Sequence, residues 1–186
     1  MWPWTHFALS YLLVSLSWRL RGHRVDWRVV LALGLGSQFP DLVDKPLAWY
    51  FGVIPAGRSL THSALTATTV SVVVLAVAAQ RSRFESGLAF GVAYGGHLLG
   101  DALPKLLGGE YESLTFLLWP LLPLPTYEGA DSVIANLGDV VAAPVPYLLA
   151  SPVRIATLVL VALVWCADGF PGVADAGRYL ARTRQG

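Results

Sequence analysis

The chain is poor in charged residues and almost devoid of cysteine. Asp, Glu, Lys and Arg make up 13% of its 186 residues, about half their share in an ordinary soluble domain. The single cysteine excludes an internal disulfide and any cysteine-rich zinc site. A net charge of +1 gives no bulk attraction to nucleic acid, so we expect no nucleic-acid partner. Apolar residues make up 55% of the chain, which indicates an integral membrane protein.

Five apolar stretches predict helices that cross a bilayer, which takes about 17 to 20 residues. The clearest is 63–79, which contains no charged residue, and the weakest is 25–39, which contains two glycines. Glycine is common where membrane helices pack closely. The five stretches are 2–18, 25–39, 63–79, 84–103 and 153–167. We therefore predict an all-α, polytopic membrane protein with about five transmembrane helices in one integral membrane domain.

The arginines predict the orientation, because Lys and Arg collect in cytoplasmic loops. They cluster in 19–28, 81–83 and 178–184. An N-outside, multi-pass chain in the plasma or inner membrane places all three clusters, and the C-terminus, on the cytoplasmic side. The motif-bearing helical core is then 1–105, an outer loop is 106–152, and the last helix and basic tail are 153–186. Within the outer loop, 114–124 and 132–150 fit re-entrant or interfacial segments. The alternative is that they form two further transmembrane spans, which would also keep the C-terminus on the cytoplasmic side.

Four polar motifs lie where apolar stretches meet the outer loops. Ionisable residues within or beside membrane segments are costly, so they usually mark a functional site. The motifs are Thr5-His6, Pro40-Asp41 with Asp44, the segment RSLTHS at 58–63, and His97 with Asp101. His and Asp bind divalent metals, and the four-residue spacing of the last pair puts both side chains on one helix face. The topology therefore predicts one metal site on the extracytoplasmic side.

The residue types indicate a role for each side chain. The predicted ligands, for one or two divalent ions and preferably zinc, are His6, Asp41, His62, His97 and Asp101. We expect Asp44 to accept a proton and Arg58 to stabilise developing negative charge. We expect Ser63 or Thr61 to orient His62. Taken singly, each motif also fits a plain role as a packing hydrogen bond, a polar turn or an interfacial side chain.

Together these motifs resemble the YdjM-like family of membrane-bound, predicted metal-dependent hydrolases. The resemblance rests on Thr5-His6, Pro40-Asp41, the segment 58–63 and the segment 97–102, and it covers residues 1–105. Two positions depart from the family pattern. Val43 stands where the family commonly has the second Asp of Pro-Asp-x-Asp, and Gly57 stands where many members have a His. The resemblance implies a metal-dependent hydrolase, and both departures reduce the ligand count.

We predict a membrane-bound hydrolase in which a metal-activated water attacks a phosphoester or ester of a lipid-like substrate. Membrane lipids would be its neighbours. Two other functions use the same residues. A non-catalytic scaffold or regulator would hold a structural metal closed by four protein ligands. A metal-ion transporter would need polar residues that continue toward the cytoplasm, whereas 70–79 and 87–92 are almost purely apolar.

Overall fold

The computed structural model describes residues 3–124 and 151–175, together with Leu149 and Arg178. All regular elements in these ranges are helical, which confirms the all-α prediction. The five α-helices are α1 (Pro3–Arg19), α2 (Trp27–Lys45), α3 (Ala64–Gln80), α4 (Phe84–Leu107) and α5 (Pro152–Ala167). A π-helical turn (Pro46–Tyr50) extends α2, and a 3-10 helix (Tyr111–Leu118) follows α4. None of these helices combines the length and the apolar character needed to cross a membrane.

Capping side chains determine where α2 and α3 begin. Asp26 accepts a hydrogen bond from the backbone N–H of Val29 at the start of α2. Ser63 accepts one from the backbone N–H of Leu65 at the start of α3. Each cap satisfies a backbone donor that the first helical turn leaves unpaired. The starts of these two helices are therefore local properties of the sequence.

The predicted end of the second helix, at residue 39, is wrong. The helix α2 continues through Pro40 and ends at Lys45. A proline leaves one helical hydrogen bond unmade, but Pro40 is fully buried, so packing holds the chain in helical form. Asp41 and Asp44 consequently lie inside α2, about one turn apart.

The helix α4 packs against α1, α2 and α3. Two glycines allow the closest of these approaches. A Cβ atom at Gly36 would collide with the backbone carbonyl of Phe90, and one at Gly87 would lie 2.7 Å from the Cβ of Ala78. Larger residues at either glycine would push α2 or α3 away from α4.

Polar side chains are unusually frequent in the interior, while apolar ones are frequent on the surface. The helix α1 buries Ser10 and Ser15 but exposes Leu13 and Leu16. In α3, Ala67 is the one buried residue of 17. Extended apolar surface of this kind marks contact with an apolar partner or a membrane.

The alternating direction of α1 to α4 brings the four polar motifs to one end of the bundle. His6 lies near the start of α1 and Asp41 near the end of α2. His62 directly precedes the cap of α3, and His97 lies in the second half of α4. The arginine-rich connections 20–26 and 81–83 lie at the opposite end.

Candidate metal centre

His62 is a buried imidazole whose orientation is set by Asp44. Its Nδ1 lies 2.9 Å from Oδ2 of Asp44, and both side chains are fully buried. Because a carboxylate oxygen accepts, Nδ1 carries the hydrogen of this bond. In the neutral ring the lone pair is therefore on Nε2, which points into the site.

Asp44 also organises the loop that carries His62. Its Oδ1 accepts from the backbone N–H and the hydroxyl of Thr61, at 2.9 and 2.7 Å. Its Oδ2 accepts from the backbone N–H groups of Ser59 and His62, at 2.9 and 3.2 Å. Both oxygens are thus committed to the loop.

His97 faces His62 across the site. Its Nδ1 lies 2.7 Å from the carbonyl oxygen of Ser37, and a carbonyl can only accept, so Nδ1 carries the hydrogen. Its Nε2 lies 3.2 Å from Nε2 of His62. Two lone pairs this close repel each other unless a proton or a metal ion lies between them. This pair of nitrogens is the most direct indication of a cation site.

Asp41 supplies an oxygen to the same point. Its Oδ1 lies 3.5 Å from Nε2 of His62 and 3.9 Å from Nε2 of His97. Ligand atoms around a tetrahedral zinc ion lie about 3.4 Å apart. The other oxygen, Oδ2, contacts Nζ of Lys45 at 2.7 Å. Asp41, His62 and His97 therefore form one group able to hold a metal ion.

His6 and Asp101 form a second such group with His97. Nε2 of His6 lies 3.5 Å from Oδ1 of Asp101, and the His6 ring stacks on His97 with centroids 4.0 Å apart. Oδ2 of Asp101 lies 3.8 Å from Nε2 of His62 and 2.8 Å from Nε of Arg58. His6 is buried, and among the described residues neither of its ring nitrogens has a hydrogen-bond partner.

The 3-10 helix after α4 covers one flank of the site. Phe116 is fully buried and packs edge-on against His62, with ring centroids 6.4 Å apart. The Ser63 hydroxyl, predicted to orient His62, donates instead to the carbonyl of Trp119 at 2.6 Å. Phe116 and Trp119 thus bring part of the segment 114–124 against the site, and the re-entrant or interfacial character of the segment stays a prediction. The second predicted piece, 132–150, lies outside the described residues, apart from Leu149.

All seven predicted site residues meet at this end of the bundle, together with groups that the sequence analysis missed. Lys45 pairs with Asp41, and their four-residue spacing on α2 is a signal that would have identified it. The Ser37 carbonyl has no such signal, since every residue carries one. The Tyr94 hydroxyl donates to the carbonyl of Thr61 at 2.6 Å and supports the His62 loop from α4.

Gly57 lies against the ring of Trp49, which leaves no room for a larger residue at position 57. A Cβ atom there would lie 3.1 Å from the ring of Trp49. A His at residue 57 would therefore require Trp49 to move. The glycine that this chain has in place of the family's His is therefore consistent with the position of Trp49.

Comparison with known proteins identifies the family. Residues 1–172 match the family model described as YdjM inner membrane protein. The match extends beyond the motif-bearing residues 1–105 on which the resemblance rests. No match was found among curated proteins or solved structures. Since the family model covers most of the chain, this protein belongs to the YdjM inner membrane protein family.

Proposed function

We propose that this protein is a membrane-bound, metal-dependent hydrolase whose ion is held by Asp41, His62 and His97. The observation that carries the proposal is the 3.2 Å separation of the two Nε2 atoms of His62 and His97. Histidines that bind metals usually donate their other N–H to a carboxylate or a carbonyl. Asp44 and the carbonyl of Ser37 accept those two hydrogen bonds here.

We propose one ion per chain. Both candidate groups contain His97, and its Nδ1 donates to Ser37, so one nitrogen is available for a metal. The two groups therefore compete for that nitrogen. We assign the ion to the group with Asp41 because both of its histidines are oriented by outward hydrogen bonds, whereas His6 is not. Three protein ligands leave a coordination position open, as in catalytic zinc sites.

The open side of this group carries the remaining chemistry. A divalent ion held here would supply a Lewis acid and a water activated near neutral pH. Asp101, held by Arg58 through Oδ2, would orient the attacking water at Oδ1. His6 would take its proton, since its Nε2 lies near Asp101 and neither ring nitrogen has a hydrogen-bond partner among the described residues. Asp44 would position His62 and not transfer a proton, because its oxygens accept five hydrogen bonds.

We further propose that the chain lies in the cell membrane as a multi-pass protein of about five helices, with the site away from the cytoplasm. The description of the family as inner membrane proteins supports this location. The apolar surfaces of α1 and α3 support it as well. A site at a membrane surface suits an amphiphilic, lipid-like ester or phosphoester.

Metal analysis by mass spectrometry on detergent-purified protein tests the proposal. We expect about one zinc ion per wild-type chain and almost none in His97→Ala or Asp41→Asn. His6→Gln and Asp101→Asn should keep the ion and lose hydrolysis of a panel of esters and phosphoesters. An ion retained without any turnover in the wild type would instead indicate a structural metal in a scaffold.

A proton is the competing occupant of the site. Burial lowers the pKa of His62, but hydrogen bonds to Asp41 and Asp44 outweigh this and raise it overall. A wild-type protein that binds no zinc even when zinc is added would show that a proton shared by His62 and His97 separates their nitrogens. That result would overturn the hydrolase proposal.

A further inference from the structure

Two cations form an outer layer over the carboxylates of the metal centre. Lys45 contacts Oδ2 of Asp41 at 2.7 Å, and Arg58 contacts Oδ2 of Asp101 at 2.8 Å. The side chains of Lys45 and Arg58 are 31% and 33% exposed, whereas those of the two carboxylates are 12% and 2% exposed. A molecule that approaches the site therefore meets these cations before it meets the carboxylates.

Both cations retain hydrogen-bond donors. Arg58 reaches Asp101 through Nε, while a guanidinium carries four more donors on its terminal nitrogens. Lys45 contacts Asp41, and an ammonium group has three donors. Neither side chain makes another hydrogen bond or ion pair with the described residues. The unused donors suit an anion with several acceptor oxygens, because two oxygens of such an anion can accept two parallel hydrogen bonds from one guanidinium.

Lys105 adds a third cation from α4. His97, Asp101 and Lys105 follow one another at four-residue intervals, so they share a face of that helix. Nζ of Lys105 lies 5.6 Å from the ring centroid of Phe116, and Phe116 packs against His62. Lys45 and Lys105 are the two lysines of the entire chain, and both lie beside the metal centre.

The formal charges at this end of the bundle select the kind of ester. Four carboxylates face three cations there; the carboxylates are Asp41, Asp44, Asp101 and Glu110, whose charge acts on Lys105, and the cations are Lys45, Arg58 and Lys105. A divalent ion would then leave one positive charge in excess. A phosphomonoester carries about −1.5 to −2 at neutral pH, whereas a carboxylic ester carries no charge. A phosphomonoester therefore matches the loaded site in the sign of its charge, and its three acceptor oxygens suit the donors of Lys45 and Arg58.

We infer that Lys45 and Arg58, with Lys105 beside them, form a phosphate subsite, and that the substrate is a phosphomonoester. This inference rests on the proposed function, because it uses the same metal ion. Hydrolysis would consume one water, break the ester P–O bond and release an alcohol and inorganic phosphate. The water's oxygen ends on phosphorus, one of its protons ends on the alcohol oxygen, and the other stays with the inorganic phosphate.

Calorimetric titration of inorganic phosphate into the zinc-loaded, detergent-solubilised full chain tests the subsite. We expect Lys45→Gln and Arg58→Gln each to weaken phosphate binding about tenfold, as the loss of a charge-assisted hydrogen bond does, with zinc content unchanged. Arg28→Gln is the matched control, because Arg28 lies at the other end of α2 and contacts the ring of Trp27. It should bind phosphate like the wild type.

The outcomes separate the inference from the proposed function. A chain that holds zinc but binds phosphate equally well in the wild type and in the double variant would overturn the phosphate subsite alone. A chain that holds no zinc would overturn the proposed function and this inference with it. Arg58→Lys should recover part of the binding lost in Arg58→Gln, which a merely misfolded variant would not.

Phosphate release distinguishes a lipid from a soluble source of the phosphomonoester. Phosphatidic acid in mixed micelles carries the group on a lipid, and p-nitrophenyl phosphate carries it in solution. Release from phosphatidic acid, lowered in both Gln variants, would support a lipid substrate. Release from p-nitrophenyl phosphate alone would support a soluble one. A carboxylic ester cleaved in preference to both would overturn the inference.

Discussion

At each end of this bundle one buried carboxylate is paired with an arginine, Asp168 with Arg19 and Asp101 with Arg58, yet the surroundings of the two ends differ. At the end away from the metal centre, Oδ2 of Asp168 accepts from the hydroxyls of Tyr11 and Ser15, at 2.7 and 2.6 Å. Its Oδ1 accepts from Arg19 at 2.6 Å. We call these four residues the Asp168 cluster. Each acceptor in it faces a donor, and the cluster links α1 to the end of α5.

At the candidate metal centre, acceptors face acceptors. The Nε2 atoms of His62 and His97 lie 3.2 Å apart, and the Oδ1 atom of Asp41 lies close to both. Since buried polar groups are nearly always paired in native proteins, such an arrangement suits a proton or a metal ion between these atoms. Similar residue types therefore form a structural tie at one end and a group able to hold a metal ion at the other.

The largest effect should come from removing a ligand. At zinc concentrations about 100 times the dissociation constant, a bound ion stabilises a protein by about 2.7 kcal/mol. We expect zinc to raise the thermal unfolding temperature of the wild type and to leave that of His97→Ala unchanged, because Ala offers no nitrogen. An equal zinc effect in the variant would place the ion elsewhere.

The next largest effect should come from the residue that positions His62. In Asp44→Asn, an amide NH2 group replaces one carboxylate oxygen. That group would face N–H donors whose hydrogen bonds the Asp44 carboxylate accepts in the wild type. Loss of such a supporting carboxylate typically lowers metal affinity 10- to 100-fold. Zinc titration with a competing chelator measures this. Unchanged affinity in Asp44→Asn would contradict the role of Asp44 in orienting His62.

A smaller effect, of a different kind, is expected at the Asp168 cluster. In Asp168→Asn, an amide N–H faces either the two hydroxyls or Arg19, so a partly buried or an exposed hydrogen bond to the carboxylate is lost. We expect the free energy of unfolding to fall by about 1–3 kcal/mol while zinc content stays at the wild-type level. Denaturant unfolding and metal analysis on one preparation test both halves. A loss of zinc in this variant would show that the two ends are coupled.

The smallest effect should come from one donor of that cluster. Ser15→Ala removes a hydroxyl that donates to Asp168, while Tyr11 and Arg19 remain in place. We expect a loss of about 1 kcal/mol in unfolding free energy and unchanged zinc affinity. If the loss matched that of Asp168→Asn, then Ser15, and not the carboxylate, would account for the stability of the cluster.

The sequence predicted the helices and the end of the bundle at which the polar motifs meet. The stretch 63–79 corresponds to α3 (Ala64–Gln80), and 153–167 corresponds to α5 (Pro152–Ala167). Apolar runs and capping residues are local, so they can be recognised without knowledge of any neighbour. The end of α2 was missed because the burial of Pro40 depends on packing against other helices.

By itself, therefore, the sequence determined that this is an all-helical member of its family with His and Asp motifs at one end. Only the tertiary structure decided which nitrogen of each histidine faces the site. That choice depends on Asp44 for His62 and on the carbonyl of Ser37 for His97, which are 18 and 60 residues distant along the chain. Hydrogen bonds of this kind arise from the register between packed helices, and no local periodicity encodes that register.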